Sequence, residues 1–509
     1  MAATGEELAE KIREISVAEF FEKNRHLLGY ENPTRSLLTV IKEAVENSAD
    51  ACEDARILPE IKIELQQLEE DRFRVVVEDN GPGLPASKVP MTFAKFLVGS
   101  KFHRLKQYRG LMGVGIHGAV LYAQLTTGKP AKVVTSLGGK DPIHEFELMI
   151  DVAKNEPEVI SHRTLDNPNG WHGVKLELEV EGRFIEKATQ SVPEYIRQTA
   201  MVNPFASIYF KGPNGTSLVY KRRVEELPPL PKEIKPHPYG IELGRLRRML
   251  ISTSARTLTG FLTTEFSRVG RKSALEACRA AGINPESSPQ QLSSEEVVRL
   301  HKALQSIKLM APPTDCLSPL GEEMLLEGMK REFKGEKYVA VSRPPSTYRG
   351  YPFQIECGIA YGGELQDFQL FRFANRTPLL YHQGECALTS AVREVDWRRY
   401  GIPQDGFPKA PMIILLHFVS VWVPFTTEGK QAIASYPEIL REAKLALQDA
   451  GRRLSEYLAR KRKMRERQIK IGLFERYIPE LAESVEKLTG KPKEEIISRL
   501  ERFLNEGKG

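Results

Sequence analysis

Glu43 and Asn47 stand four residues apart in the run Glu43-Ala44-Val45-Glu46-Asn47-Ser48-Ala49-Asp50-Ala51. At about 3.6 residues per turn, a helix sets positions 43, 47 and 50 on one face. Asn47 offers a neutral oxygen to Mg²⁺, which takes hard oxygen ligands and keeps several waters. Glu43 can accept a proton from a water held by that assembly. A solvated polar helix face has the same spacing, so this run decides nothing alone. A second group is Asp79-Asn80-Gly81-Pro82-Gly83, directly after a valine-rich run. A carboxylate at a strand end accepts a hydrogen bond from an exocyclic amine, and Gly83 lets the backbone approach a flat base. A third group is Gly110-Leu111-Met112-Gly113-Val114-Gly115-Ile116-His117, ahead of an apolar run from Gly118 to Tyr122. Glycines before a helix expose backbone N–H groups where the helix dipole is positive, which suits phosphate. Ser100 and Lys101 add a hydroxyl and an ammonium for the same anion. The stretch lacks the GK[ST] ending of a P-loop and the βαβ context of a dinucleotide fold.

The elements that must position these groups follow from pattern and punctuation. Residues 7–27 and 34–56 read as helices, with Asn32-Pro33-Thr34 as stop and cap. Ile61–Leu65 and Phe73–Val77 read as strands, as do 131–136, 144–150 and 173–179, before a helix near 184–201. This mixture of helices and antiparallel-looking strands suggests an α+β sandwich over the first 220 or so residues. Pro228, Pro229, Pro231, Pro236 and Pro238 make a stiff connector. From 240 to 308 the pattern is helical and basic. Residues 309–435 return to β-type runs, notably Pro411–Phe425, and from Tyr436 a long amphipathic helix runs into a shorter helical tail.

Composition limits the function classes. A chain of 509 residues has room for about three domains. With 41% hydrophobic and 28% charged residues it is globular rather than fibrous or disordered. Five dispersed cysteines without a CxxC pair exclude a disulfide scaffold and a cysteine zinc finger, and fit a reducing cytoplasm. The start MAATGEELAEK is too charged for a signal peptide. The apolar run Met412 to Phe425 is shorter than the ~20 residues of a membrane span, so no membrane association is expected. Net charge is +6, which permits contact with nucleic acid without requiring it. Arg245, Arg247, Arg248, Arg268, Arg271, Lys272 and Lys221-Arg222-Arg223 can each meet phosphates or form solvated faces. Arg460-Lys461-Arg462-Lys463 is denser, and serves protein docking or DNA contact equally well. The histidines form no metal cluster, and no zinc site is expected.

The three nucleotide-directed groups, in this order, resemble the ATPase domain shared by DNA gyrase, the heat-shock-90 chaperones, sensor histidine kinases and MutL repair proteins. The resemblance implies a Bergerat-type fold: a sheet covered on one face by helices, with ATP under a flexible lid. It implies Glu43 as catalytic base, Asn47 as magnesium ligand and Asp79 as adenine contact. Cofactor contacts are expected from Asn47, Asp50, Asp79, Gly83, Ser100, Lys101, Gly110 through His117, and Lys430. One departure stands at His172-Gly173-Val174, where the superfamily has Gly-Thr and a phosphate-side hydroxyl.

Downstream motifs select the branch. Residues 268–304 resemble the helix–two-turns–helix module of topoisomerase VI B subunits. Thr314–Glu322, Gly358–Gly363, Arg372–Tyr381 and Val421–Ala434 resemble the transducer of those same proteins. The implied fold class is α+β multidomain. A Bergerat-type ATPase sandwich spans 1–228 and a helix–two-turns–helix domain 229–308. An α/β transducer with a long C-terminal helix spans 309–470, and a helical tail 471–509. The implied activity is ATP hydrolysis driving DNA strand passage, relaxing supercoils and decatenating. Lys430 stands where the family has a lysine that reaches the γ-phosphate. The implied cofactors are ATP and Mg²⁺. The implied partners are an A subunit that carries the cleaving tyrosine in an A2B2 heterotetramer, double-stranded DNA and, with ATP, a second copy of this chain. Location is expected to be cytoplasmic and nucleoid-associated. A MutL-like repair clamp is the alternative.

Overall fold

The computed structural model describes residues 13–101, 104–110, 113–426 and 429–506. The helix expected over 7–27 starts at Val17: Ser16 caps α1 (Val17–Lys23) by accepting from the Glu19 amide, and the helix ends at Asn24 before a 3-10 turn at Arg25–Leu28. Residues 7–12 of that expectation lie outside the described residues. The second helix, α2 (Pro33–Asp54), is capped by the Asn32 side chain, which accepts from the Arg35 amide at 3.0 Å, with Pro33 in the first turn.

The first sheet has eight strands: β1 (Glu60–Glu69), β2 (Arg72–Asp79), β3 (Ala131–Leu137), β4 (Ile143–Asp151), β5 (Glu156–Leu165), β6 (His172–Glu181), β7 (Ser207–Lys211) and β8 (Ser217–Tyr220). Their order is β5-β4-β3-β6-β2-β1-β7-β8, antiparallel except where β1 meets β7. Alternation explains the single covered face. In β2, Phe73, Val75 and Val77 are buried while Arg72 and Arg74 face outward and pair with Glu179 on β6. On the inner face lie α2, α3 (Val89–Ala94), α4 (Gly115–Thr127) and α5 (Val192–Met201). The helix expected near 184–201 is shorter because Ser191 caps it and Pro193 occupies its first turn. Strands β5, β7 and β8 carry no sequence expectation; β5 is exposed on both faces and so lacks the apolar alternation that marks a half-buried strand.

Four helices, α6 (Leu243–Ser252), α7 (Leu258–Glu265), α8 (Arg271–Ala281) and α9 (Ser294–Ser306), enclose a core of their own around Leu246, Phe261, Leu262 and Leu300. A capping box of Ser293 and Glu296 starts α9. The proline connector before them is laid against the protein: the Ile234 amide donates to the Leu105 carbonyl and the Lys232 amide to the Asp315 carbonyl.

Beyond α10 (Gly321–Glu332) comes a second sheet of β9 (Lys337–Ser342), β10 (Ser346–Tyr348), β11 (Tyr351–Tyr361), β12 (Gln369–Ala374), β13 (Thr377–Pro378) and, past α11 (Ala387–Glu394) and the small ribbon β14 (Gln404–Asp405) and β15 (Phe407–Pro408), β16 (Met412–Ser420). All nine residues of β16 are buried. Ile413 and Leu415 join the core of the first sheet through α10, while Met412, Ile414, Leu416 and Phe418 face α11 and the final long helix. A strand covered on both faces reads as an unbroken apolar run. Gly328 allows the close approach of α10 to α5, since a Cβ there would lie 1.9 Å from the Met201 carbonyl oxygen. The long helix α12 (Pro437–Thr489) runs without a break through residue 470, where the sequence reading divides transducer from tail; Gly490 in the left-handed conformation ends it before α13 (Lys493–Glu506). Among the described residues no helix is long and apolar enough to cross a membrane.

Candidate active site

A cavity of about 680 Å³ opens between α2, the end of β2, the segments around 98–101 and 110–117, and two loops of the second sheet. Its wall brings together Glu43, Asn47, Asp79, Gly83, Ser100, Lys101, Gly110, Gly113, Val114, Gly115, Ile116, His117 and Lys430. Leu111 and Met112 lie outside the described residues.

Helix α2 supplies the polar floor. Asn47 is exposed to the cavity one turn from Glu43, and its side chain makes no hydrogen bond among the described residues. Helix α4 begins hard against Glu43: a Cβ on Gly115 would fall 1.9 Å from Glu43 Oε2. That close approach places the N-terminus of α4, with its free amides, beside the carboxylate.

The end of the cavity at β2 is built by backbone fit. Asn80 ties the turn after β2 to the start of β1, accepting from the Glu60 amide at 2.7 Å and donating to the Leu58 carbonyl at 3.1 Å. Asp79, 5% exposed, accepts from Ser48 Oγ at 2.8 Å, the Gly81 amide at 2.9 Å and the Val174 amide at 3.1 Å. Burial pushes its carboxyl above the usual carboxylate range despite these three donors. Val77, Leu84, Phe93, Val174 and Leu176 give the apolar walls. Gly83 (φ +71°) has no space for a side chain, its Cβ position being 2.0 Å from the Ser136 carbonyl oxygen.

At the Val174 departure, the valine's backbone amide donates to Asp79 at 3.1 Å. Thr135, its direct partner on β3, carries a buried hydroxyl that donates to the Gly173 carbonyl and accepts from the Leu84 amide. Gly173 itself (φ +130°) would place a Cβ 2.1 Å from the Asp79 carbonyl oxygen. Gly173→Ala is expected to lower stability by about 1–3 kcal/mol or more, since that backbone region is nearly glycine-only; a thermal melt equal to the parent's would contradict this.

Lys430 enters from the second sheet's side and is 8% exposed. Its Nζ lies 2.8 Å from Glu46 Oε2 and 3.9 Å from Glu43 Oε1. It also stands 3.9 Å from the Cβ position of Gly110. Burial acts to lower the lysine's pKa, but Glu43 and Glu46 more than reverse it, so the ammonium is held charged. Burial likewise acts to raise Glu46, and Lys430 and Lys42 bring it below the usual range. Glu46, three residues on from Glu43 at the edge of the same helix face, is not among the expected site residues, because its role depends on a lysine 384 positions away.

Asp50, expected among the cofactor contacts, does not line the cavity. It lies behind the cavity wall, bound by Lys101 Nζ at 2.6 Å and Arg109 Nη1 at 2.8 Å. Its stripe on α2 is right in angle, but seven residues carry it about 10 Å along the axis from Glu43, past the floor. Burial acts to raise its carboxyl, and the Lys101 and Arg109 charges hold it well below the usual range. His117 is buried against Phe96, and burial lowers it to about 4, so the ring is neutral. Among the described residues no group of three or more His, Cys, Asp or Glu side chains is arranged to hold a metal.

Residues 32–147 match the family described as histidine kinase-, DNA gyrase B-, and HSP90-like ATPase, and residues 312–470 match the topoisomerase VI B subunit transducer. The chain is 46% identical over 505 residues to the B subunit of type 2 DNA topoisomerase 6 from Archaeoglobus fulgidus, covering 97% of this chain and 83% of that one. It is 45% identical to the protein of the same name from Methanococcoides burtonii, with 95% and 78% covered. With that of Pyrococcus horikoshii it shares 40% identity, with 97% and 95% covered.

Proposed function

The chain belongs to the family of type 2 DNA topoisomerase 6 B subunits, and from that membership we propose how its site works as an ATP-hydrolysing gate for DNA strand passage. One observation carries the reading: Glu43 and Asn47 on α2, the glycine loop and Lys430, from three separated stretches, share one cavity wall. Asp79 accepts the exocyclic amine of adenine while the apolar walls hold the ring. The free amides at the start of α4 receive the phosphates. Asn47, exposed and making no side-chain hydrogen bond among the described residues, would hold a magnesium ion through its carboxamide oxygen. When bound there, Mg²⁺ neutralises phosphate charge. Glu43 takes the proton of the attacking water, and Lys430 moves its charge from Glu46 to the terminal phosphate.

Because Lys430 lies on a loop beyond the second sheet and Glu43 on α2, the γ-phosphate favours one arrangement of the two. Its loss removes that preference. Two such chains closing on ATP would clamp a duplex, and a tyrosine-bearing A subunit would open the break, in an A2B2 assembly. A repair clamp of the MutL kind is set aside because the C-terminal half matches the topoisomerase VI B transducer. The test is relaxation of supercoiled plasmid by the chain purified with a tyrosine-bearing A subunit. ATP-dependent relaxation is expected; a complex that relaxes DNA equally without ATP overturns the reading.

Asp79→Asn is expected to weaken binding of a fluorescent ADP analogue by about 10- to 100-fold, the span of a charge-assisted hydrogen bond. In the parent, protonating Asp79 turns an acceptor into a donor. Affinity should therefore fall as pH drops through a pKa above the usual carboxylate range. A flat titration down to the ordinary aspartate pKa would refute the adenine contact.

A further inference from the structure

The stem of the glycine loop is sewn into the second sheet by bonds that the hydrolysis chemistry does not use. Just before Gly110, the Gln107 side chain accepts from the Ser318 amide at 2.5 Å and donates to the Ser318 carbonyl at 3.3 Å. The Tyr108 carbonyl accepts from Asn375 Nδ2 at 2.8 Å. Arg109 donates to Asp50 at 2.8 Å, to Glu53 at 2.5 Å and to Asn203 at 2.6 Å. Glu53 receives a second guanidinium, that of Arg376. Every one of these side chains apart from Glu53 is buried, and Glu53 is 14% exposed.

Arg376 reaches Glu53 from an unusual backbone. Residues 375 and 376 form the two-residue loop of the β12–β13 hairpin, both with positive φ (+47° and +64°), as that tight turn demands. Arginine is a poor residue for the left-handed conformation, and its side-chain and backbone bonds hold it there. Nη1 donates to the Ser318 carbonyl at 2.7 Å, and its backbone amide donates to His417 Nε2 at 2.9 Å. His417 Nδ1 lies 2.8 Å from Glu356, which receives the first amides of α10 at Leu320 and Gly321. A continuous run of buried polar contacts therefore leads from Lys101 on the cavity wall to the centre of the second sheet. Lys101, Arg109 and Arg376 face Asp50 and Glu53, and Glu356 adds a third carboxylate at the far end of the run.

We propose that Arg109, Glu53 and Arg376 form a second connection, separate from Lys430, through which the placement of the second sheet positions the glycine loop for hydrolysis. These are positioning residues; none reaches the reacting atoms. The proposal rests on the ATPase reading of the cavity. Glu53, held on its two oxygens by two planar guanidinium groups, fixes direction as well as distance. A shift of the β12–β13 hairpin is therefore passed to Arg109 and so to Gly110.

The test uses the full chain and two variants, Arg376→Lys, which keeps the charge but loses the fork, and Glu53→Gln. ATP turnover, affinity for a fluorescent ADP analogue, thermal melts and hydrogen exchange with and without Mg²⁺ and adenylyl-imidodiphosphate are measured. In the parent, the analogue should protect amides in both 113–126 and 314–320. Both variants should lose about tenfold in kcat, with KM and ADP affinity within about twofold of the parent. They should keep protection at 113–126 and lose it at 314–320. Parental kcat with protection kept at 314–320 in either variant overturns the proposal. So does loss of the fold in both, which would make the cluster a staple. A parent without turnover or nucleotide-induced protection would instead overturn the ATPase reading itself.

Discussion

Glu43→Gln is expected to cut ATP turnover by about 10²- to 10⁴-fold, the usual contribution of a positioned base, with nucleotide affinity nearly unchanged. The amide fits the space beside Gly115, where a Cβ would fall 1.9 Å from Glu43 Oε2, but it cannot accept a proton from water. It also removes one of the two carboxylates near Lys430. The closer one, Glu46 at 2.8 Å, remains, so the lysine keeps its place. Adenine contacts at Asp79 are far from the change and should hold the ligand. The checks are steady-state hydrolysis and a binding titration with a fluorescent ADP analogue. Turnover within a few-fold of the parent would reject Glu43 as the base. Loss of binding in parallel with turnover would point to a structural effect.

Lys430→Ala is expected to lower turnover by about 10²- to 10³-fold, as removal of a preorganised charge from a developing anion does, and to abolish ATP-driven strand passage. The same change alters stability in a pH-dependent way. In the parent, Glu46 has a depressed carboxyl. Its contribution is therefore fully present above the unfolded value of 4.5 and is lost as pH falls through the depressed value. In the variant, burial acts on Glu46 with only Lys42, 3.8 Å away, to oppose it. Leaving a buried charge without its partner costs about 3–5 kcal/mol. Its carboxyl should then sit above the unfolded value, so the variant weakens as pH rises instead. Melts of parent and variant across the acid range read the sign directly. A variant with the parent's pH profile would show that Lys430 and Glu46 do not share the pair. Lys430→Met, which keeps the volume, separates lost packing from lost charge.

Local rules carried the nucleotide-facing half of the site. Asn32-Pro33 begins α2, and helical period four sets Glu43 and Asn47 on one wall; a strand ending in Asp79 is followed by a glycine turn, and glycines precede α4. Each signal spans fewer than ten residues, so it survives in the chain regardless of what packs on it. Errors arose where a local rule lacks a length or a neighbour. The α2 stripe included Asp50 because periodicity gives angle and not the reach of the cavity. The bond of Val174 to Asp79 and its pairing with Thr135 join separate strands, which no local pattern reports. The division at 470 cut a helix that carries no stop signal until Gly490.

By itself, then, the order of residues determined on what kind of element each cavity-lining group sits. Folding alone decided that Glu46 pairs with Lys430 and that Glu53 stands between Arg109 and Arg376. Those partners come from distant parts of the chain. A charge in a chain has no preferred mate until packing removes the water around it and leaves one counter-charge within reach.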